Sequence, residues 1–174
     1  MSRLTHQKGI DILIAAIPEL AKIPMQLAVV GAGDRDLVEQ LRAARAQYPE
    51  TLGLYIGFDE QAAHLIEAGG DMFLMPSRFE PCGMNQMYSQ RYGTPPVANA
   101  TGGLIDTITD GESGYLLKEL SVDGLVAGVR RAVKDYRDPV QWRRVQKNGM
   151  AKDFGWGAAA RAYAEIYARI RASA

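Results

Sequence analysis

Two short segments hold the residues best suited to chemistry in this sequence. Residues 77–83 read Ser-Arg-Phe-Glu-Pro-Cys-Gly, and the glycine pair Gly102 and Gly103 follows further along the chain. We expect each segment to follow a strand and to open a helix, where free N–H groups and partial positive charge attract anions. Glu80 stands beside them and can accept hydrogen bonds from sugar hydroxyls. The pattern therefore indicates a site for a phosphorylated sugar.

The loop around Glu80 is shaped by the proline that follows it. Pro81 fixes its own φ and favours an extended backbone at Glu80, which presents the carboxylate at the loop tip. Glu80 could also simply stabilise a helix start, by about 0.3–1 kcal/mol, and the two roles are compatible. Cys82 is the single cysteine of the chain and has no histidine in its loop. A small buried or half-buried thiol is therefore favoured over a nucleophile or a metal ligand.

Two cations near the start of the chain could bind a diphosphate. Arg3 and Lys8 flank a loop just before a predicted helix, and they combine a planar hydrogen-bonding fork with a mobile point charge. The alternative is a pair of solvated surface charges, the usual state of basic residues. Gly9, directly ahead of the helix, favours the binding role.

The segment Gly31-Ala-Gly33 resembles part of a dinucleotide-binding turn. The position of the third glycine in that motif is Asp36, whose charge would face a pyrophosphate unfavourably. A tight turn that lets a ligand approach Gly31 and Gly33 is the favoured interpretation.

Other positions could contact a ligand or be purely structural. Thr101, Gly102 and Gly103 can leave N–H groups bare to a phosphate because glycine has no side chain in the way, or they can form a plain turn. Phe58 follows Gly57 at a predicted strand end and could equally stack on a nucleobase or pack. No residue pattern fixes a metal site, so no metal is expected.

Helical and strand patterns alternate along most of the chain, which predicts an α/β fold with parallel strands. Such sheets bind ligands at the carboxyl ends of their strands. Only Met1–Leu4 precedes the first loop, so we expect the first strand to be cut short. Pro18 is expected to kink or divide the first helix, and Asp34 can cap the second. The predicted strands are 25–30, 52–56, 72–75, 97–99 and 115–117, and the predicted helices are 9–23, 34–47, 60–68, 84–92, 104–108, 122–136, 139–151 and 156–172.

Composition narrows the class of protein. The chain has 174 residues, and its 20 basic residues are balanced by 20 acidic ones, so there is no electrostatic case for binding nucleic acid. No apolar stretch approaches the roughly 20 residues that span a bilayer, and the start lacks an apolar signal region. One cysteine fits a reducing compartment. We expect a cytoplasmic protein with no membrane or nucleic-acid partner.

Several segments together resemble the glycogen and starch synthases that use ADP-glucose. They are Ser2–Gly9, Pro76–Gly83, Arg91–Pro95, Ala100–Leu104 and, near the end, Phe154–Trp156 with Tyr163 and Tyr167. The resemblance implies a GT-B fold, in which two Rossmann-like domains face each other across a cleft. It implies that this chain is the carboxyl-terminal half. Residues 1–150 would form a three-layer, Rossmann-like donor-binding domain with a parallel sheet. Residues 151–174 would form a helix that packs on or toward the amino-terminal domain.

The resemblance also implies roles for single residues. Arg3 and Lys8 match the pair that neutralises the departing diphosphate, and Glu80 matches the carboxylate near the donor glucose. Donor-binding positions carried over or indicated by the loops are Gly31, Phe58 near the adenine, Cys82, Gly83, Thr101, Gly102, Gly103 and Tyr115. Two positions depart from the pattern: Tyr88 replaces a second glutamate, and Asn85 replaces a small threonine.

The implied activity is transfer of glucose from ADP-glucose to the non-reducing end of an α-1,4-glucan, with no cofactor and no metal. The acceptor glucan would bind through the amino-terminal domain, so the chain alone is expected to be inactive. The location would be cytoplasmic, or plastidial in a plant. The alternative is a Rossmann-like binding module that no longer binds nucleotide sugar, which Asn85 and the short first strand favour.

Overall fold

The computed structural model describes residues 1–172 and has five strands, with helices between them and at the carboxyl end. The strands are β1 (Leu27–Gly31), β2 (Leu52–Ile56), β3 (Phe73–Met75), β4 (Pro96–Asn99) and β5 (Tyr115–Leu117). The helices are α1 (Ile10–Leu20), α2 (Arg35–Gln47), α3 (Glu60–Gly69), α4 (Asn85–Tyr92), α5 (Gly103–Thr107), α6 (Val122–Tyr136), α7 (Pro139–Met150) and α8 (Trp156–Ala172). A short 3₁₀ helix, His6–Lys8, precedes α1.

All strand pairs within these residues are parallel, as the sequence predicts. β1 pairs with β2, and β4 lies between β3 and β5. The two groups form separate sheets, whereas the sequence predicts one. Leu4 makes only a single parallel bridge with Gly33, so residues 1–4 do not supply a strand that would join β1 to β3.

The predicted boundaries of β2, β5, α6 and α8 match the structure, and those of the other elements differ from it by one to three residues at one or both ends. Two local predictions are met only in part. Helix α1 continues through Pro18 to Leu20 and is not divided, while a kink at Pro18 stays a prediction. Asp34 is the N-cap residue of α2, but its side chain makes no capping bond. The predicted residues 173–174 of the closing segment lie outside the described residues.

The core is built by the apolar faces of α1 and α6 together with both sheets. On α6, the buried residues Leu125, Val129 and Ala132 recur at helical spacing. The Ser121 hydroxyl starts this helix by accepting a 2.9 Å hydrogen bond from the N–H of Gly124. A second buried cluster, centred on Phe73, Met75 and Leu104, lies on β3 and α5. The strand ends are therefore held against two packed cores.

Helix α8 differs from the others because none of its described residues is buried. Trp156 is 85% exposed, and Tyr163, Tyr167 and Ile170 are also exposed. An exposed apolar helix face of this size is typical of a surface that packs against a partner. Across residues 1–172, the helices are too short or too polar to span a bilayer.

One buried carboxylate makes the stability of this fold depend on pH. Glu67 is 1% exposed and its Oε1 atom has no hydrogen-bond partner. Burial raises the pKa of Glu67, and the nearby amine of Met1 offsets this only in part. Because the pKa is higher in the folded state, ionisation costs stability as the pH rises above the unfolded value of about 4.3.

We expect Glu67→Gln to match the parent chain near pH 4 and to exceed its free energy of unfolding at pH 8 by about 1–3 kcal/mol. Urea denaturation at several pH values measures this. Glu50→Gln, at an exposed position, is the control. A difference that stays constant across the pH range would contradict the assignment.

Candidate functional site

Three loops meet at the carboxyl ends of the strands. They are residues 4–9, residues 76–83 after β3, and residues 100–103 after β4. The Arg78 N–H donates to the Gln7 carbonyl at 2.9 Å, and the Gly103 N–H donates to the Glu80 carbonyl at 3.0 Å. The middle loop is thus tied by backbone hydrogen bonds to the loops on either side, which brings Lys8, Glu80 and Gly103 into one neighbourhood.

The centre of the site is an ion pair between Lys8 and Glu80. Lys8 Nζ lies 2.5 Å from Glu80 Oε2, and the two side chains are only 18% and 8% exposed. The Ser77 hydroxyl donates to the same oxygen at 3.1 Å. Partial burial strengthens a pair of this kind because little water screens it. The structure therefore brings together the cation and the carboxylate that the sequence singles out.

A second ion pair, which the sequence analysis missed, supports the same loops. The Arg78 guanidinium donates to both carboxylate oxygens of Asp11 at 2.7 Å and to the His6 carbonyl at 2.6 Å. The hydrogen bond from Arg78 lowers the pKa of Asp11. Arg78 lies within the 77–83 segment, and Asp11 lies in the first turn of α1. In the sequence, the arginine within the 77–83 segment is the feature that could have indicated such an ion pair.

The start of two helices faces this region without a side-chain cap. Gly9 is the N-cap of α1 and Met84 is the N-cap of α4, and neither side chain caps the helix. The first N–H groups of an uncapped helix are unpaired within the helix and favour an anion. Asn85, the departure from the family pattern, donates from its amide to the Met1 carbonyl at 3.3 Å.

Glycine at position 102 is required by the backbone. Its φ of 48° lies in the left-handed region, and a Cβ there would overlap the Glu80 carbonyl oxygen. The expectation that the neighbouring N–H of Gly103 is bare is wrong, because that N–H is bonded to the Glu80 carbonyl. The Thr101 hydroxyl donates to the Arg78 carbonyl at 3.4 Å. These residues shape the loop around Glu80.

The glycines after β1 also approach another part of the chain. A Cβ on Gly31 would overlap the carbonyl oxygen of Ser2, and one on Gly33 would overlap that of Leu4. The Leu4 N–H donates to the Ala32 carbonyl at 2.9 Å. The close approach predicted at this turn is therefore made by the backbone of residues 2–4.

The remaining predicted positions are placed differently. Arg3 is exposed, and Phe58 is 81% exposed beyond β2. Cys82 is exposed as well, so the expectation of a buried thiol is wrong; the loop turns its carbonyl inward, toward the Gln86 amide at 3.0 Å. Gly83, with φ of 69°, leads into α4. Within residues 1–172, no three His, Cys, Asp or Glu side chains are grouped to hold a metal ion.

The side chain of Tyr115, a predicted donor-binding position, lies in the core of the domain. Tyr115 is fully buried on β5, its hydroxyl donates to Asp135 at 3.0 Å, and its ring stacks on Trp142. Burial, followed by the bond to Asp135, raises the pKa of this hydroxyl. The side chain belongs to the core between β5 and helices α6 and α7.

Comparison with known proteins identifies the family of this site. Residues 1–149 match the family of proteins described as "glycosyl transferases group 1". The chain belongs to this family. The glycogen synthase of Aromatoleum aromaticum is 51% identical over 183 residues, covering 100% of this chain and 37% of that protein. The glycogen synthase of Nitrosomonas eutropha is 50% identical over 179 residues, covering 98% and 36%.

A solved structure agrees with the sequence comparison. The catalytic domain of starch synthase IV from Arabidopsis thaliana, bound to ADP and acarbose, superposes with a TM-score of 0.86 at 30% identity, covering 97% of this chain and 37% of that one. The predicted fold, one Rossmann-like half of a GT-B glycosyltransferase, is confirmed. This group 1 glycosyltransferase chain spans a little over a third of the length of the relatives it matches.

Proposed function

We propose that this chain is the donor-binding half of a retaining glucosyltransferase. The full protein would transfer glucose from ADP-glucose to the non-reducing end of an α-1,4-glucan, in the cytoplasm. The observation that carries this proposal is the Lys8–Glu80 pair beside the uncapped start of α1. The high identity to proteins named glycogen synthase and the likeness to an ADP-bound starch synthase support the choice of substrate.

The geometry suggests how the donor would be held. Lys8 and the exposed Arg3 would place positive charge where the leaving ADP becomes negative, which stabilises the transition state. The N–H groups at the start of α4, next to Gly83, would contact phosphate oxygens. Glu80, which already accepts two hydrogen bonds, would accept one from a glucose hydroxyl. Phe58, exposed beyond β2, would stack on the adenine.

The reaction itself would need no pair of catalytic carboxylates. In a retaining transfer, a phosphate oxygen of the donor can deprotonate the acceptor hydroxyl on the same face of the sugar. This differs from glycoside hydrolases, which use two carboxylates. The acceptor would bind through the other domain, and the exposed apolar face of α8 would pack on or toward that domain.

Titration with ADP tests the donor site directly. We expect ADP to bind, and at 100 times its dissociation constant to add about 2.7 kcal/mol to the free energy of unfolding. Calorimetry and thermal unfolding measure this binding. UDP is titrated in parallel to compare uracil with adenine as the base. EDTA and Mg²⁺ are added in separate experiments to test whether binding depends on a metal. No thermal shift at millimolar ADP would favour the alternative, a module that has lost its site, while binding of NADH would point to an oxidoreductase.

We expect the chain alone to transfer little or no glucose, because the acceptor surface lies on the other domain. The measurement is ADP release from ADP-glucose in the presence of glycogen. The separately titrated ADP affinity serves as the control that the donor site is intact. Robust turnover by residues 1–174 would contradict the proposal that the acceptor binds through the other domain.

A further inference from the structure

The buried face of helix α4 is polar instead of apolar. Its buried residues are Gln86, Ser89 and Gln90, whereas the buried residues of α6 are mostly apolar. A polar side chain in a core costs stability unless it makes hydrogen bonds. The partners of these side chains therefore indicate what they do for the structure. For Gln86, the partners lie in the loop that contains Glu80.

The Gln86 side chain holds two successive carbonyl groups of that loop. Gln86 is 0% exposed, and its Nε2 atom donates to the Cys82 carbonyl at 3.0 Å and to the Gly83 carbonyl at 3.1 Å. The orientation of the amide is fixed, because its own oxygen can only accept and would repel both carbonyls. A Cβ on Gly83 would lie 2.5 Å from the Gln86 Oε1 atom, so the glycine leaves the room in which the amide lies.

The position of these carbonyls determines where the adjoining N–H groups point. In a trans peptide, the C=O of one residue and the N–H of the next point in opposite directions. With both carbonyls directed at Gln86, the N–H groups of Gly83 and Met84 point away from it. Neither N–H has an acceptor among the described residues, and both residues line the same cavity as Lys8 and Glu80. Two successive free N–H groups at a turn suit an anion.

The same amide also connects the two segments that the sequence singles out. Gln86 Nε2 lies 3.1 Å from the Thr107 hydroxyl oxygen, and that hydroxyl donates to the Gly103 carbonyl at 2.6 Å. The Gly103 N–H donates in turn to the Glu80 carbonyl at 3.0 Å. Gln86 thus belongs to a hydrogen-bonded network that spans the 77–83 loop and the glycine pair. The loop cannot rotate its peptide groups without breaking part of this network.

We propose that Gln86 is a positioning residue of the donor site. It aims the N–H groups of Gly83 and Met84 at the diphosphate of the donor, because it holds the carbonyls of the same two peptide groups in the core. This inference rests on the proposed function, since it concerns the loop that would receive the nucleotide. Hydrogen bonds to phosphate oxygens are charge-assisted and weaken steeply when the N–H is misaligned. A rotated peptide group would therefore remove a ligand contact without moving Lys8 or Glu80.

The test compares substitutions of two buried glutamines on one face of α4. Gln86→Met removes the donor and keeps a side chain of similar length. Gln86→Asn keeps an amide that is too short to reach both carbonyls, and it serves if the methionine variant does not fold. Gln90→Met is the matched control. Gln90 is 1% exposed and donates to the carbonyls of Gln86 and Thr107, so its amide holds neither carbonyl of the loop.

We expect both Gln86 variants to bind ADP about 10- to 100-fold more weakly than the parent chain, which is the effect of losing one hydrogen bond to a charged group. Gln90→Met should keep the parental affinity. Isothermal titration measures these affinities. In NMR spectra, the amide resonances of Gly83 and Met84 should shift when ADP is added to the parent chain or to Gln90→Met, and they should not shift in the Gln86 variants.

The outcomes separate this inference from the proposed function. Parental ADP affinity in the folded Gln86 variants would overturn the inference and leave the proposed function standing. An equal loss of affinity in Gln90→Met would overturn it too, because the loss would then follow from a damaged core. So would ADP binding that leaves the Gly83 and Met84 resonances of the parent chain unmoved. Failure of the parent chain to bind ADP would overturn the proposed function and this inference with it.

Discussion

Replacing Lys8 with methionine is expected to weaken ADP binding by about 100-fold. The ammonium group is the cation held at the centre of the site, and a hydrogen bond to a charged group contributes about 1.5–3 kcal/mol. Isothermal titration with ADP measures the loss. Lys22→Met is the matched control, because Lys22 is 65% exposed and pairs with Glu19 at the end of α1. ADP affinity should be unchanged in that variant.

The same substitution also affects the fold, and a double variant separates the two effects. Without Lys8, the Glu80 carboxylate keeps only the Ser77 hydroxyl as a side-chain partner, so the free energy of unfolding should fall by about 2 kcal/mol. Lys8→Met with Glu80→Gln removes the unpaired charge and should restore most of that stability while ADP affinity stays low. Recovery of ADP binding in the double variant would mean that Lys8 acts only through the fold.

Replacing Gly9 with alanine is expected to lower the free energy of unfolding by about 3 kcal/mol or more. Gly9 has φ of 69°, which side chains other than glycine adopt at a cost, and an added Cβ would overlap the Pro76 carbonyl oxygen. Because that overlap is with backbone, a rotamer change cannot relieve it. Urea denaturation followed by circular dichroism measures the change.

A second glycine in the chain provides the control for Gly9. Gly69 ends α3, and an added Cβ there has nothing within 4 Å, so Gly69→Ala should be neutral or stabilise by up to about 1 kcal/mol. The expected outcome is a clear separation of the two alanine variants. If both behave alike, then the close contact between residues 9 and 76 does not determine the position of the loop.

The sequence predicts elements well where the pattern is local. Helix α6 combines a serine cap with apolar residues at helical spacing, and its bounds agree with the structure. The predicted bounds of strand β2 also agree with the structure. Contacts between distant residues are harder. Lys8 and Glu80 are 72 positions apart, so their pairing depends on which strand ends meet, which no local pattern specifies.

The errors at the site have a common physical origin. A glycine that leaves room for a ligand and a glycine that leaves room for another backbone segment look the same in a sequence. At Gly31 and Gly103 the neighbour is the chain itself. Tyr115 shows a related ambiguity, since a hydroxyl can bind a ligand or an internal carboxylate, and here it binds Asp135. Only the tertiary structure separates these cases.

Glu80 accepts hydrogen bonds from its neighbours through two chemically separate groups. Its side chain accepts from Lys8 and Ser77, whereas its backbone carbonyl accepts from the Gly103 N–H. Replacing the side-chain carboxylate with an amide would therefore remove its negative charge and leave the backbone hydrogen bond to Gly103 in place. Such a variant would be a folded protein in which the contribution of the carboxylate to ligand binding can be measured apart from that of the loop structure.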